Sequence, residues 1–187
     1  MEDFLKRAKD FALSEQKRTS MPLLQHIELS NSAGRRIAKK LGANIGIVTA
    51  GTYLMDCMIG EALKQDRLED HVEMSAKKAK ELMLDTDLTI KDKENIEKCV
   101  LEHHGVSKFY SLESEICCNA DCYRFISIKG FSYALRFLRD MPFDDLVSLL
   151  ESKSIEKWNA LTLNMCKKEL APQYKTIKAF LSNLKSS

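Results

Sequence analysis

The chain carries four histidines, His26, His71, His103 and His104, and two aspartates whose surroundings are wrong for an exposed charge. Asp56 is the one charged residue of Ala43–Gly60, ANIGIVTAGTYLMDCMIG, which reads as an otherwise apolar helix. Asp121 falls on an inner stripe with Cys117, Phe125 and Ile128 at helical spacing. A buried carboxylate must be paired, protonated or metal-bound, because burying it alone costs too much. A buried Lys, Arg or hydroxyl would meet that need, and so would a metal ion. Imidazole and carboxylate together suit borderline divalent metals such as manganese, iron, nickel or zinc. The histidines also have simpler readings. His26 beside an apolar stripe reads as a satisfied core histidine, and His103–His104 before Gly105 as a favourable placement at a helix C-terminus. The six cysteines show no zinc-finger spacing, so Cys117, Cys118 and Cys122 read as small apolar packing groups.

These residues need helices to bring them together. The periodicity predicts a first helix from Glu2 to about Arg18, and a second to about Leu41, stopped by Gly42. Ser20 is expected to cap the second helix, with Pro22 in its first turn. The organising helix follows, with 45–58 expected to be the most buried. A fourth helix starts near Asp70, with His71 in its first turn. A fifth starts at Thr89 or Asp92 and ends at Glu102-His103-His104-Gly105. A helix from Glu113 to about Ile128 carries Asp121. Beyond it, Phe131–Arg139, Asp144–Leu150, Ser152–Lys168 and Pro172–Leu184 read as further helical segments. Trp158, Leu161 and Leu163 are expected to pack the final pair onto the body. The expectation is at least seven helices and no sheet.

Composition agrees. With 187 residues, seven Gly and three Pro, the chain reads as one all-α domain over 1–187, with a core at 20–140 and a C-terminal helical pair at 144–187. The net charge of +2 conceals an acidic centre: residues 51–150 hold 13 Lys+Arg against 19 Asp+Glu. That sign suits a cation and excludes a nucleic-acid groove. Three glycines and Asp56 argue against a membrane span in the apolar stretch. The N-terminus, amphipathic with charges of both signs, does not read as a signal peptide, so a cytoplasmic location is expected.

Taken in order, His26, Asp56, His71, His103-His104 and Asp121 give a pattern that resembles the HD-domain superfamily of metal-dependent phosphohydrolases. The resemblance covers about Leu23 to Gly130, through LLQHIELSNSAGRRIA, YLMDCMIG, DHVEMSAKKAKELM, CVLEHHG and EICCNADCYRFISIKG. It implies an HD-type helical bundle with a buried central helix. It also implies a divalent ion (Mn, Fe, Ni, Co, Zn or Mg) held among His26, Asp56, His71, His103, His104 and Asp121. The implied activity is hydrolysis of a phosphate ester, with a nucleotide as the small phosphorylated substrate. Asp56 would act in catalysis, and Arg124 or Lys129 would hold the phosphate. The chain departs from the pattern at Met55, which stands where the His of the His-Asp pair is expected, and at Arg124, where relatives often carry an acid. Those departures define the alternative: a catalytically degenerate member that binds a ligand or partner.

Overall fold

The computed structural model describes residues 1–185, and among them it contains helices and no strand. In chain order these are α1 (Glu2–Thr19), α2 (Leu24–Leu41), α3 (Ile45–Leu54), α4 (Ile59–Lys64), α5 (His71–Leu82), α6 (Ile90–Leu101), α7 (Leu112–Ile126), α8 (Ile128–Ala134), α9 (Phe143–Ala160) and α10 (Asn164–Lys185). Single 3-10 turns, Leu68–Asp70 and Leu135–Arg139, precede α5 and α9. The all-α expectation holds. No described helix is long and apolar enough to cross a membrane.

Helix α3 lies at the centre, packed on α1, α2, α6 and α7. Asn44 starts it by accepting from the backbone N–H groups of Gly46 and Ile47, the standard remedy for unpaired donors at a helix start. Gly51 lets the neighbouring helices come close. A Cβ there would lie 2.5 Å from Cys99 Cβ and 2.7 Å from Cys117 Sγ. All six cysteines are buried and free, and they act as packing groups.

The structure divides the expected 45–58 helix. Met55–Met58 form a turn in which Cys57 N bonds Leu54 O and Ile59 N bonds Asp56 O. The Met58 N–H goes to the Ser75 hydroxyl on α5, 3.1 Å away. This tertiary hydrogen bond replaces a helical one, so Asp56 projects from a corner between helices. Nor is α3 alone in its burial. Eleven of the fifteen residues of α7 are buried, against seven of ten in α3, so the two share the centre.

Two other boundaries differ from expectation. Ser20 does not cap α2; it closes α1 in the left-handed conformation, and α2 begins after Leu23 without a side-chain cap. The final helices meet at Leu161–Leu163, and α10 continues through Pro172. The corner is held by Asn119 of α7, whose Oδ1 accepts from Thr162 N and Leu163 N while its Nδ2 donates to the Thr162 hydroxyl. As expected, Leu161 is buried, and Trp158 stacks on Tyr174 with ring centroids 4.6 Å apart.

The tight contact at Gly51 yields a test. Gly51→Ala should destabilise the protein by about 1–3 kcal/mol, the range for overpacking a core, read as a lower urea midpoint with unchanged slope. An unchanged midpoint would show that the three helices can separate freely.

Candidate metal centre

Three corners of the fold meet at one point. Asp56 comes from the α3–α4 turn, His71 is the first residue of α5, and His103 and His104 follow α6 just before Gly105. Gly105 permits the stop by taking a φ of 98°. Asp56, His71, His103 and His104 each offer a ligand atom, all within 4.8 Å of one another. His71 Nε2 and His103 Nε2 both lie 3.3 Å from Asp56 Oδ1. The Nε2 atoms of His71 and His104 are also 3.3 Å apart.

The other ring nitrogens assign the tautomers. His71 Nδ1–H donates to Leu68 O at 2.6 Å, and His103 Nδ1–H to Val100 O at 2.7 Å. His104 Nδ1 lies 3.2 Å from Glu156 Oε1 and 3.3 Å from Lys157 Nζ, so it faces an acceptor and a donor together. His71 and His103 therefore each turn Nε2 towards Asp56 Oδ1. Lone pairs from two imidazoles and a carboxylate repel one another unless a proton or a metal cation lies among them. Asp56 Oδ1 and His103 Nε2 are buried and have no hydrogen-bond partner. Histidines with Nδ1 bound to a carbonyl or carboxylate are the usual supports of a metal site. The donor set fits a divalent ion.

The electrostatics keep Asp56 ionised. Burial opposes ionisation of Asp56, but Arg124, His103 and His71 outweigh it and hold its pKa well below the usual carboxylate range. At His71 burial pulls the pKa down, and Asp56 reverses this to a net rise. His104 is lowered, chiefly by burial, although Glu156 pulls the other way.

On the far side of Asp56 a different arrangement begins. Arg124 Nη1 donates to Asp56 Oδ2 and also to Asp121 Oδ1, the latter at 2.7 Å. Lys157 Nζ stands 2.7 Å from Asp121 Oδ2 and 2.8 Å from Glu156 Oε1. Lys157 is only 2% exposed, so its ammonium exists by virtue of these carboxylates. Burial lowers its pKa, and Asp121 with Glu156 more than restores it.

Two expected ligands therefore stand outside the cluster. Asp121 spends its oxygens on Arg124 and Lys157. His26 Nε2 donates to Gly130 O at 3.0 Å, with its ring edge-on to Phe125. Arg124 is buried with its Nη1 committed to two carboxylates, and Lys129 is exposed on α8. The Nη1 of Arg124 is therefore not free to meet a phosphate. Met55 is buried and borders, with Pro22, Ile27 and Arg124, a cavity of about 10 Å³, which is room for one water.

Lys157 and Glu156 were not among the sequence candidates. The signal for Lys157 was present: Val147, Leu150, Ser154, Lys157 and Leu161 follow one another at helical intervals of three and four. A lysine on that buried stripe needs a carboxylate, and Asp121 is the one it finds.

No family model matches the chain, and neither does any curated protein. Solved structures do. A predicted HD superfamily hydrolase from an uncultured Thermotogales bacterium is 14% identical, with TM-score 0.70 over 97% of this chain and 91% of that one. A Lactobacillus plantarum structural-genomics target is 18% identical, with TM-score 0.74 over 100% and 97%. Bacillus subtilis YpgQ is 16% identical, with TM-score 0.68 over 98% and 96%, and has also been solved in complex with ADP. At these identities the likeness is one of fold, and it supports the HD-type bundle expected from the motif order.

His26 gives this region a pH signature. Burial, aided by the Arg124 charge, lowers its pKa to about 4 from 6.5. Between those values the unfolded chain binds the proton and the folded one does not. Stability should therefore fall as pH drops through that window, by at most about 1.4 kcal/mol per unit. His26→Gln keeps an N–H donor for Gly130 O and should flatten the slope of urea-unfolding free energy against pH. Identical slopes in both proteins would remove His26 as the cause.

Proposed function

We propose that this chain is a divalent-metal-dependent phosphohydrolase acting on a phosphate ester, with a nucleotide as its substrate. The observation that carries this reading is the meeting of Asp56, His71, His103 and His104, whose ligand atoms lie within 4.8 Å of one another, with His71 and His103 Nε2 both 3.3 Å from Asp56 Oδ1. In this reading Asp56, His71, His103 and His104 hold the ion. When bound, a divalent ion supplies Lewis-acid polarisation of a phosphoryl oxygen and activation of water.

The chain's own groups set up that chemistry. Leu68 O and Val100 O hold the Nδ1 protons of His71 and His103, which turns each Nε2 towards Asp56. Arg124 keeps Asp56 ionised, and so acts through that carboxylate rather than on the substrate. The approach lies along His104, Glu156 and Lys153, whose side chains are each about one-third exposed. Lys153 Nζ, 2.8 Å from Glu156 Oε2, supplies an ammonium at this rim that can meet a phosphate. A nucleotide as substrate draws support from the ADP complex of YpgQ, a protein of the same fold. A single cytoplasmic domain belongs to the same reading.

One observation favours the second reading, a non-hydrolytic binding protein. Arg124, the residue expected to hold the phosphate, is buried and bonded to Asp56 and Asp121. Turnover therefore has to be measured together with metal content.

Asp56→Ala and His103→Ala should each lower metal affinity by at least about 10-fold, the lower end for loss of even an indirect support, by equilibrium dialysis and elemental analysis. Wild type should hydrolyse members of a nucleotide panel in added manganese, nickel or cobalt, and Lys153→Ala should raise KM with less effect on kcat. Metal bound without turnover of any panel member would select the binding-protein reading. Equal metal content in wild type and Asp56→Ala would end the metal hypothesis for this site.

A further inference from the structure

Asp56 and Asp121 come from different elements, yet an oxygen of each is bonded to the same nitrogen, Arg124 Nη1. The remaining oxygens face outward from this point. Asp56 Oδ1 turns to the histidines, and Asp121 Oδ2 to Lys157. The result is an alternating row of imidazoles, carboxylate, guanidinium, carboxylate and ammonium. Two buried carboxylates aimed at one point is how proteins hold hard cations through oxygen. Here the cation at that point is a side chain.

We propose that Arg124, assisted by Lys157, occupies the seat of a second cation between Asp56 and Asp121, so that the chain takes one divalent ion and folds without needing any. This rests on reading Asp56 and the three histidines as a metal site. Charge supports it: Asp56 and Asp121 are balanced by Arg124 and Lys157, and the buried set is neutral before any ion binds. Size supports it as well, because the space next to Arg124 leaves room for one water and no further ion with its ligands. Met55 borders that space but does not decide the matter. A histidine at position 55 would still face a filled seat.

Removing the guanidinium should leave two carboxylates that recruit a proton or a metal. Oxygen donors favour a hard ion, so manganese is the probe. Bound manganese is counted by electron paramagnetic resonance of the free ion, with thermal unfolding followed by circular dichroism on the full chain. Wild type should bind one ion per chain and stay folded after chelation. Arg124→Ala should bind two, lose thermal stability in chelator and regain it as manganese is added. Met55→His should still bind one. If Arg124→Ala cannot be prepared without metal, it is refolded in manganese, and Arg124→Gln serves as a second neutral variant. Failure of both to fold in manganese would overturn the proposal, which requires an ion to replace the guanidinium. One ion per chain in a folded Arg124→Ala, or two in wild type, would overturn it as well. Wild type binding no ion while Arg124→Ala binds one would instead retain the seat and reject the histidine site.

Discussion

Asp56 is a buried carboxylate whose two oxygens face two different environments, and the rest of the structure is arranged to satisfy both. One oxygen belongs to the imidazole cluster and the other to Arg124. Neither environment alone would justify the charge. Breaking a buried ion pair by removing one partner typically costs about 3–5 kcal/mol. Arg124 is itself buried, and Asp56 and Asp121 beside it outweigh the burial that opposes its charge. Lys157 extends the same logic to α9, which links the C-terminal helices electrostatically to the centre of the fold.

Helix packing places this network. The close approach of α3, α6 and α7 around Gly51 sets the end of α3 near the end of α6, where His103 and His104 lie. The turn at Met55–Met58, held by Ser75, lets Asp56 leave the helix axis and meet α5 at His71. Asn119 clamps the α9–α10 corner against α7, and that register brings Lys157 to Asp121 and Glu156 to His104. Each residue of the cluster thus lies at a helix end or in a turn, and the helix bodies supply the rigidity.

Much of this was legible in the sequence. A lone Asp in an apolar run and histidines at helix ends pointed to the four residues that do converge, and the apolar periodicity gave the all-α bundle. His26 does not join the four-residue cluster, and motif order does not say which way a ring faces; its Nε2 proton goes to Gly130 O. The break after Leu54 was invisible because the apolar pattern of Met55–Met58 is the same in a helix or a turn, and a hydroxyl on another helix decides it. Arg124 stood one turn from Asp121 in plain view, but only the geometry shows it bonded to both aspartates. Lys157 was passed over because its partner lies on a distant helix, although its place on a buried stripe marked it as needing one.

The central claim is that the ion belongs on the histidine side of Asp56 and a side-chain cation on the other. The most direct measurement is an anomalous difference map from crystals of wild type grown with manganese. The account predicts one peak, within bonding distance of the Nε2 atoms of His71, His103 and His104 and of Asp56 Oδ1, with Arg124 still between Asp56 and Asp121. A peak between Asp56 and Asp121 with Arg124 displaced, or no peak at the histidines, would contradict it.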